Sequence, residues 1–278
     1  LNFVEEEIRR LINNGTLVVE LKGEKVGQIN GLAVLDLGGY SFGRPSCVTA
    51  TVALGQSGVI NIEREARLSG STHDKGIMIL SGFIRDRFGQ NRAAAMTASI
   101  AFEQSYSGID GDSASSTELY ALLSALSGVP LRQELAVTGS VDQHGRVQAI
   151  GGVNEKIEGF YRVCKAVGLT GSQGVLIPRS NITNLMLDRE TISAIERGAF
   201  QIYPVDDIDQ GIELLTGVKA GSPDEPGTIN GKVAERFRHM DEILRERPSS
   251  ETRIIHEPAA SEPPARPPGP PGPPEPPR

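Results

Sequence analysis

The stretch Gly108-Ile109-Asp110-Gly111-Asp112-Ser113-Ala114-Ser115 joins a β-rich run to a helical pattern with leucines at positions Leu119, Leu122, Leu123 and Leu126. We predict that Ser113 is the first residue of this helix, where the unpaired N–H groups of the first turn point outward. A serine there can act as a nucleophile while its own N–H and those of nearby loop residues hold an oxyanion. Taken alone, the stretch is better explained as an ordinary helix cap, because Asp112 and Ser113 are both favoured capping residues.

A second glycine-led stretch, Gly151-Gly152-Val153-Asn154-Glu155-Lys156-Ile157, opens the next helical pattern. Lys156 shares a helix face with Phe160 and Val163, and partial desolvation there disfavours its charged form. A lysine whose pKa is lowered in this way can serve as the base that activates a serine. The alternative is a lysine that extends its ammonium into water, and only the presence of Ser113 favours the base.

Three further side chains are candidates for supporting roles. Thr138, in Ala136-Val137-Thr138-Gly139-Ser140, would orient the lysine amine through a hydrogen bond, or be a plain strand threonine. Asp110 and Asp112 would position the lysine or shape the loop, or be solvated carboxylates. The stretch around Ser113 lacks the Gly-x-Ser-x-Gly pattern of α/β-hydrolases.

The histidines offer no clear alternative site. His73, His144, His239 and His256 show no metal-ligand spacing, and His144 is predicted at a hairpin tip. A Ser–His–Asp triad stays open, but nothing in the sequence singles out its histidine.

Composition argues against several classes of protein. The 278 residues carry a formal net charge of −7, whereas binding of nucleic acid needs clustered lysines and arginines. No apolar run approaches the roughly 20 residues that span a bilayer, and no secretory signal pattern is present. Cys47 and Cys164 form no Cys-x-x-Cys pair, so we expect reduced, buried thiols in a cytoplasmic protein. The sequence contains no phosphate-binding loop, so we expect no cofactor in this chain.

Composition also divides the chain into four predicted segments. Residues 1–22 would end a preceding linker or helical region, 23–219 form the main domain, 220–257 a charged helical extension, and 258–278 a disordered proline-rich tail. The abrupt start within a helical pattern suggests a fragment cut from a longer polypeptide.

Strand and helix patterns alternate without a strict parallel order, which favours an α+β fold. The predicted strands are 28–37, 45–54, 59–65, 96–102, 135–141, 146–150, 174–178 and 200–205, with a hairpin around 143–145. The predicted helices are 1–14, 72–88, 113–126, 153–167, 206–215 and 232–247.

Three ordered motifs carry a resemblance to a known family. Gly111-Asp112-Ser113-Ala114-Ser115, the stretch 136–140 and the stretch 151–158 resemble the proteolytic domain of Lon proteases. They look more like the B-type branch than the A-type, in which Gly-Pro-Ser-Ala-Gly is usual at the serine. Stretches 26–34 and 175–178 also fit, so the similarity covers about residues 23–217, and bacterial Lon-related ATP-dependent proteases look most similar.

The resemblance implies a Lon protease domain fold of the ribosomal-protein-like α+β kind and a Ser113–Lys156 dyad. It also implies a homo-oligomeric ring, usually a hexamer, whose active sites face an inner chamber. In the family an AAA+ module that uses ATP and Mg²⁺ precedes the protease and feeds it unfolded substrate.

We therefore interpret the chain as a serine endopeptidase domain that degrades unfolded or damaged proteins. Ser113 would be the nucleophile, Lys156 the general base and then acid, and Thr138 the residue that orients the lysine. One alternative is a non-catalytic assembly or binding module with a Lon-like fold, against which the presence of both Ser113 and Lys156 argues. The other is a small-molecule serine hydrolase, which hydrolysis of simple esters without peptide-bond cleavage would reveal.

Overall fold

The computed structural model describes residues 2–36, 41–90, 95–105 and 108–246. Its helices are α1 (Asn2–Asn13), α2 (Ile62–Glu65), α3 (Ser71–Phe88), α4 (Ser115–Ser127), α5 (Val153–Val167), α6 (Arg189–Glu196), α7 (Ile208–Thr216) and α8 (Ile229–Glu246), with a 3-10 helix at Arg179–Asn184. Its strands are β1 (Glu24–Lys25), β2 (Gln28–Asp36), β3 (Ser41–Leu54), β4 (Gly58–Asn61), β5 (Met96–Phe102), β6 (Leu131–Arg132), β7 (Leu135–Val137), β8 (Ser140–Val141), β9 (Val147–Gln148), β10 (Gly174–Pro178) and β11 (Gln201–Val205).

A seven-stranded mixed sheet in the order β11-β10-β7-β2-β3-β5-β4 forms the centre of the fold. Strands β2, β3 and β5 pair antiparallel, whereas β7, β10 and β11 run parallel to β2 and β4 runs parallel to β5. Two short ribbons, β1 with β6 and β8 with β9, lie outside this sheet. The predicted α+β class is confirmed.

The central strands bury apolar side chains on both faces of the sheet. Ala136 and Val175 join a core under α1, α5 and α6, whereas their neighbours Val137 and Leu176 join a core under α3, α4, α7 and α8. Successive side chains of a strand point to opposite faces, so strands covered by helices on both sides are apolar throughout. We call these the α5-side core and the α4-side core.

Helix α8 belongs to the α4-side core. Its side chains Ile229, Val233, Phe237 and Met240 are all buried there, at the spacing of one helical face. The predicted segments 23–219 and 220–257 therefore share one core, although the boundary between them stays a prediction. Residue 247 and the predicted tail 258–278 lie outside the described residues.

The prediction of a strand over 59–65 was wrong in its second half. Strand β4 ends at Asn61, and residues Ile62–Glu65 form the short helix α2. Glu63 in this turn is buried, and its carboxylate accepts the Phe102 backbone N–H at 2.8 Å, a bond that needs the chain to turn back toward β5. Acidic residues in a first helical turn are also favoured by the helix dipole.

The predicted hairpin is shorter than expected. Strand β7 ends at Val137 and belongs to the main sheet, while only β8 and β9 pair across the turn that contains His144. The break falls at Gly139, whose N–H donates to the Ser113 carbonyl instead of to a partner strand. The Asp142 carboxylate accepts the His144 N–H at 2.9 Å and stabilises the turn, so the predicted place of His144 is confirmed.

Both cysteines are buried and carry free thiols. Burial raises the pKa of the Cys47 thiol to about 11 and also raises that of Cys164. Neither is therefore a reactive thiolate near neutral pH. Within the described ranges, no helix has both the length and the apolar character needed to cross a membrane.

Candidate active site

Ser113 lies in the turn that precedes α4, so the prediction that the helix begins at this residue was wrong by two residues. Its carbonyl oxygen accepts the Gly139 N–H at 2.9 Å and the Thr138 hydroxyl at 3.4 Å. These bonds tie Ser113 to the end of β7, and the residue is not part of the first turn of the helix. The helix begins at Ser115, and the half-buried Ser113 stands at the start of the turn.

The first turn of α4 is tied to the end of β7. Ser116 donates its N–H and its hydroxyl to the Gly139 carbonyl, at 3.1 and 2.8 Å. Thr117 donates its hydroxyl to the Val137 carbonyl at 3.1 Å. These bonds hold Thr138, between the two acceptors, against the serine turn.

Lys156 reaches the turn because α5 lies directly on β3. Gly43 and Gly159 allow the approach, since a Cβ on Gly43 would overlap the Glu155 carbonyl and one on Gly159 would overlap the Gly43 carbonyl. Gly152, which precedes α5, has a φ of 67°, a conformation that glycine adopts without strain. The glycines therefore place the first turn of α5, and with it Lys156, beside Ser113.

The Lys156 amine contacts both predicted partners. Nζ lies 2.9 Å from Ser113 Oγ and 3.2 Å from Thr138 Oγ1, and it donates a hydrogen bond to each. The lysine is only 3% exposed. Burial lowers its pKa to about 8, while the charges of Asp112 and Glu155 oppose that shift. A lysine in this state supplies neutral amine at only slightly alkaline pH, as a general base must.

Asp112 acts on the lysine through its charge and makes no direct hydrogen bond to it among the described residues. Its carboxylate accepts the Ser140 hydroxyl at 3.0 Å, which fixes it between the serine turn and β8. Its negative charge raises the Lys156 pKa against the effect of burial. Asp112 therefore limits how far the lysine pKa falls.

Asp110 shapes the loop. Its Oδ1 accepts the backbone N–H groups of Gly111, Thr72 and His73 at 2.8, 3.2 and 3.4 Å. The bond from Gly111, followed by those from His73 and Thr72, holds the Asp110 pKa below its usual value. Thr72 and His73 lie in the first turn of α3, so Asp110 supplies that helix with a capping carboxylate from outside it.

A cleft of about 380 Å³ opens over the serine–lysine contact. One wall is the sheet surface at Gly31–Val34 with Arg44 and Ser46, and the other is the loop Gly108–Gly111. Ser113 and Lys156 both face this cleft. The Ser113 N–H has no acceptor among the described residues, whereas the Gly111 N–H is engaged by Asp110. The Ser113 N–H is therefore free to bind an oxygen of a ligand in the cleft.

Sequence reasoning missed part of this environment. It gave no role to Gly43 and Gly159, whose closeness arises only when β3 and α5 pack together. It also missed the buried contact of His73 with Glu118, which places a carboxylate on an otherwise apolar face of α4. That second signal was readable, because a glutamate beside Leu119 and Leu122 interrupts an apolar pattern. Within the described ranges, no three His, Cys, Asp or Glu side chains converge to hold a metal ion.

The chain belongs to the Lon protease family. The sequence profile of the Lon protease (S16) C-terminal proteolytic domain matches residues 18–216. This confirms the resemblance that the three motifs carried, and it makes the chain a proteolytic domain of a class whose members are serine peptidases.

Relatives of this chain carry the same family name. A Lon protease homolog of Escherichia coli (strain K12) is 45% identical over 215 residues, which are 77% of this chain and 37% of that protein. A Lon protease homolog of Haemophilus influenzae is 46% identical over 217 residues, 77% of this chain and 36% of that protein. An archaeal Lon protease of Archaeoglobus fulgidus is 31% identical over 221 residues, 79% of this chain and 32% of that protein. The chain spans about a third of the length of these relatives.

Proposed function

We propose that this chain is a serine endopeptidase domain whose nucleophile is Ser113 and whose general base is Lys156. The observation that carries the proposal is the 2.9 Å contact between the Ser113 hydroxyl and a lysine amine that is 3% exposed. Burial supplies the lowered pKa that a lysine base requires, and the hydrogen bond supplies the path for the proton.

The reaction follows from this arrangement. Neutral Lys156 takes the hydroxyl proton as Ser113 Oγ attacks the scissile carbonyl, and the Ser113 N–H binds the oxygen that becomes negative. The lysine, now charged, gives its proton to the leaving amine as the peptide C–N bond breaks and an acyl-enzyme remains. A water then attacks the ester with Lys156 again as the base, which releases the carboxylic acid and restores the serine. Thr138, 3.2 Å from the amine, keeps Nζ directed at the serine throughout.

The substrates we propose are internal peptide bonds of unfolded or damaged proteins. In this proposal an extended segment of the substrate binds in the cleft between the sheet surface at Gly31–Val34 and the loop Gly108–Gly111. We also propose that the chain assembles into a homo-oligomeric ring, a hexamer, in the cytoplasm. An AAA+ module of the parent protein, which uses ATP and Mg²⁺, would feed substrate to this ring. The support is membership of the Lon family and the length of the relatives, about two thirds of which lies outside the match.

The test is cleavage of an unfolded protein by the wild-type chain and by Ser113→Ala, with Ser57→Ala, an exposed serine of the β3–β4 turn, as the control. We expect complete loss of cleavage in Ser113→Ala, with a change in unfolding free energy of only about 1 kcal/mol. Cleavage that persists in Ser113→Ala would contradict the assignment. Hydrolysis of esters without peptide cleavage by the wild type would instead favour a small-molecule hydrolase, and hydrolysis of neither would favour a non-catalytic module.

A further inference from the structure

A buried histidine–carboxylate pair bridges α3 and α4. His73 on α3 and Glu118 on α4 are 1% and 0% exposed at their side chains, and His73 Nε2 lies 2.8 Å from Glu118 Oε1. The Asn61 side-chain amide nitrogen lies 3.3 Å from the other ring nitrogen. When that ring nitrogen carries a proton, the Asn61 oxygen, which has no other partner among the described residues, must turn toward it as the acceptor. The Phe102 ring packs edge-on against His73 at a centroid distance of 5.6 Å. The dyad chemistry described above uses none of these groups.

The surroundings of the pair are acidic. Glu118, buried Glu63 on α2, Asp74 on α3 and Asp110 in the serine loop all act on the His73 charge. Among the described residues, Glu118 Oε2, Glu63 Oε2 and Asn61 Oδ1 are buried without a hydrogen-bond partner. Buried oxygens without donors are costly, and the hydrogen bond from His73 Nε2 to Glu118 Oε1 offsets part of the cost of burying the Glu118 carboxylate.

The pair touches both ends of the serine turn. The His73 backbone N–H binds Asp110, three residues before Ser113. Glu118 follows Ser113 by five residues in the first turns of α4, and its N–H donates to the Ala114 carbonyl at 3.0 Å. His73 therefore connects α3, whose first turn binds Asp110 at the start of the serine turn, to α4, which follows the turn.

We propose that His73 and Glu118 form a positioning pair that holds the serine turn so that the Ser113 hydroxyl stays within reach of Lys156. The proposal rests on the dyad function proposed above and adds to it a second proton-dependent element. The pair touches neither substrate nor reacting atoms, and it acts through the placement of α3 and α4.

The pair gives the activity an alkaline limit. Burial alone would lower the His73 pKa, but the hydrogen bond and charge of Glu118, with the other carboxylates, outweigh it and raise that pKa. Burial has the opposite effect on Glu118, whose pKa it raises against the hydrogen bond and charge of His73. A histidine with a raised pKa contributes stability that is full at low pH and is lost as pH rises through the folded-state pKa. The fall in rate expected as pH rises through the His73 pKa is the alkaline limb, and the rise expected as Lys156 deprotonates is the acid limb.

The experiment is the pH profile of kcat and KM from about pH 6 to about pH 10 for the wild type, Glu118→Gln and His73→Gln. Glutamine at position 118 keeps the shape and a hydrogen bond but removes the charge that raises the His73 pKa. We expect its alkaline limb to move to lower pH while its acid limb, set by Lys156, stays in place. His73→Gln should lose the alkaline limb. Its kcat should fall about 10- to 100-fold with little change in KM, because misplacement of a reacting group lowers the rate by up to about 100-fold.

The matched control is His144→Gln. His144 also faces a carboxylate, that of Asp86 at 3.5 Å, but its side chain is 68% exposed, and its profile should match the wild type. A purely structural role would scale kcat equally at every pH, and an unshifted alkaline limb in Glu118→Gln would overturn the proposal. If the variants do not fold, a wild-type rate that stays level to about pH 10 would overturn it as well. The peptidase assignment is tested separately, since it requires only that the wild type cleave.

Discussion

At the scale of single residues, the burial of Lys156 reduces the stability of the folded chain but lowers the lysine pKa, as the proposed chemistry requires. An ammonium that is 3% exposed loses its hydration, and its hydrogen bonds to two hydroxyl oxygens replace only part of it. Its pKa falls from 10.5 to about 8, so at neutral pH the folded chain must hold a charge that the site disfavours. Functional groups of this kind often reduce stability.

Lys156→Met should therefore abolish peptidase activity and stabilise the fold. Because the folded-state pKa is lowered, the penalty is full below about pH 8 and disappears as pH approaches the unfolded-state value of 10.5. We expect roughly 1–3 kcal/mol of added stability at pH 7, and less near pH 10. Urea unfolding at both pH values measures it. A methionine variant that is less stable than the wild type at pH 7 would show that the lysine is well accommodated as a charge.

Thr138 offers a second test at this scale. Thr138→Val keeps the shape and removes the hydroxyl that lies 3.2 Å from the amine. The valine loses this bond, worth about 1 kcal/mol, and the long 3.4 Å bond to the Ser113 carbonyl, which together should lower kcat roughly fivefold to tenfold. Thr138→Ser, which restores a hydroxyl, should recover most of the rate. Equal kcat values for the valine variant and the wild type would remove Thr138 from the mechanism.

At the scale of elements, the position of the lysine depends on the contact between α5 and β3. Glycine in a helix is normally about 1 kcal/mol less favourable than alanine, so a Gly→Ala change in α5 would ordinarily stabilise it. At Gly159 the added Cβ would overlap the Gly43 carbonyl, which forces the helix away from the strand. The intrinsic preference and the packing therefore act in opposite directions.

Gly159→Ala should reduce stability by about 1–3 kcal/mol, as overpacking does, and should lower kcat because α5 carries Lys156 away from Ser113. Gly76→Ala in α3 is the matched control, because its Cβ would meet Ser115 Cβ at an ordinary 3.5 Å. That variant should be slightly more stable than the wild type. Thermal unfolding of both variants decides the point, and a stabilised Gly159→Ala would mean that the close contact does not constrain α5.

The elements also show what a sequence can and cannot reveal. Helix α5 and strand β10 have the boundaries that their patterns predict, because their apolar spacing reflects burial directly. Strand β4 and helix α4 differ from their predictions because side chains and carbonyls bond across the fold, as Glu63 does to Phe102 and Ser113 to Gly139. The pairing of Ser113 with Lys156 was suggested by motif, but its distance depends on glycine packing that no local pattern encodes.

At the scale of the whole molecule, the proposed ring restricts access to the site. If the active sites face a chamber entered through a narrow pore, an unfolded segment can enter and a folded domain cannot. The sequence contains no phosphate-binding loop, so unfolding by ATP would depend on the AAA+ module proposed above.

The isolated chain should accordingly degrade a destabilised mutant of a test protein and leave its stable parent intact, with no effect of added ATP. Heating the stable test protein above its unfolding temperature should make it a substrate, because only its folded shape keeps it out of the active site. Degradation of each form is followed with and without ATP. Rapid loss of both forms would show an open active site, and stimulation by ATP would show a nucleotide site in this chain.

The most direct test of the dyad is the rate at which a serine-directed acylating reagent modifies Ser113, measured against pH and located by mass spectrometry. Acylation requires the nucleophile and its base but not the ring, a motor or a folded substrate. We predict that the rate in the wild type rises through about pH 8, the pKa of Lys156, and that Lys156→Arg is not acylated at any pH because arginine cannot give up its proton. Modification of another residue, or an arginine variant that reacts like the wild type, would contradict the assignment of Ser113 and Lys156.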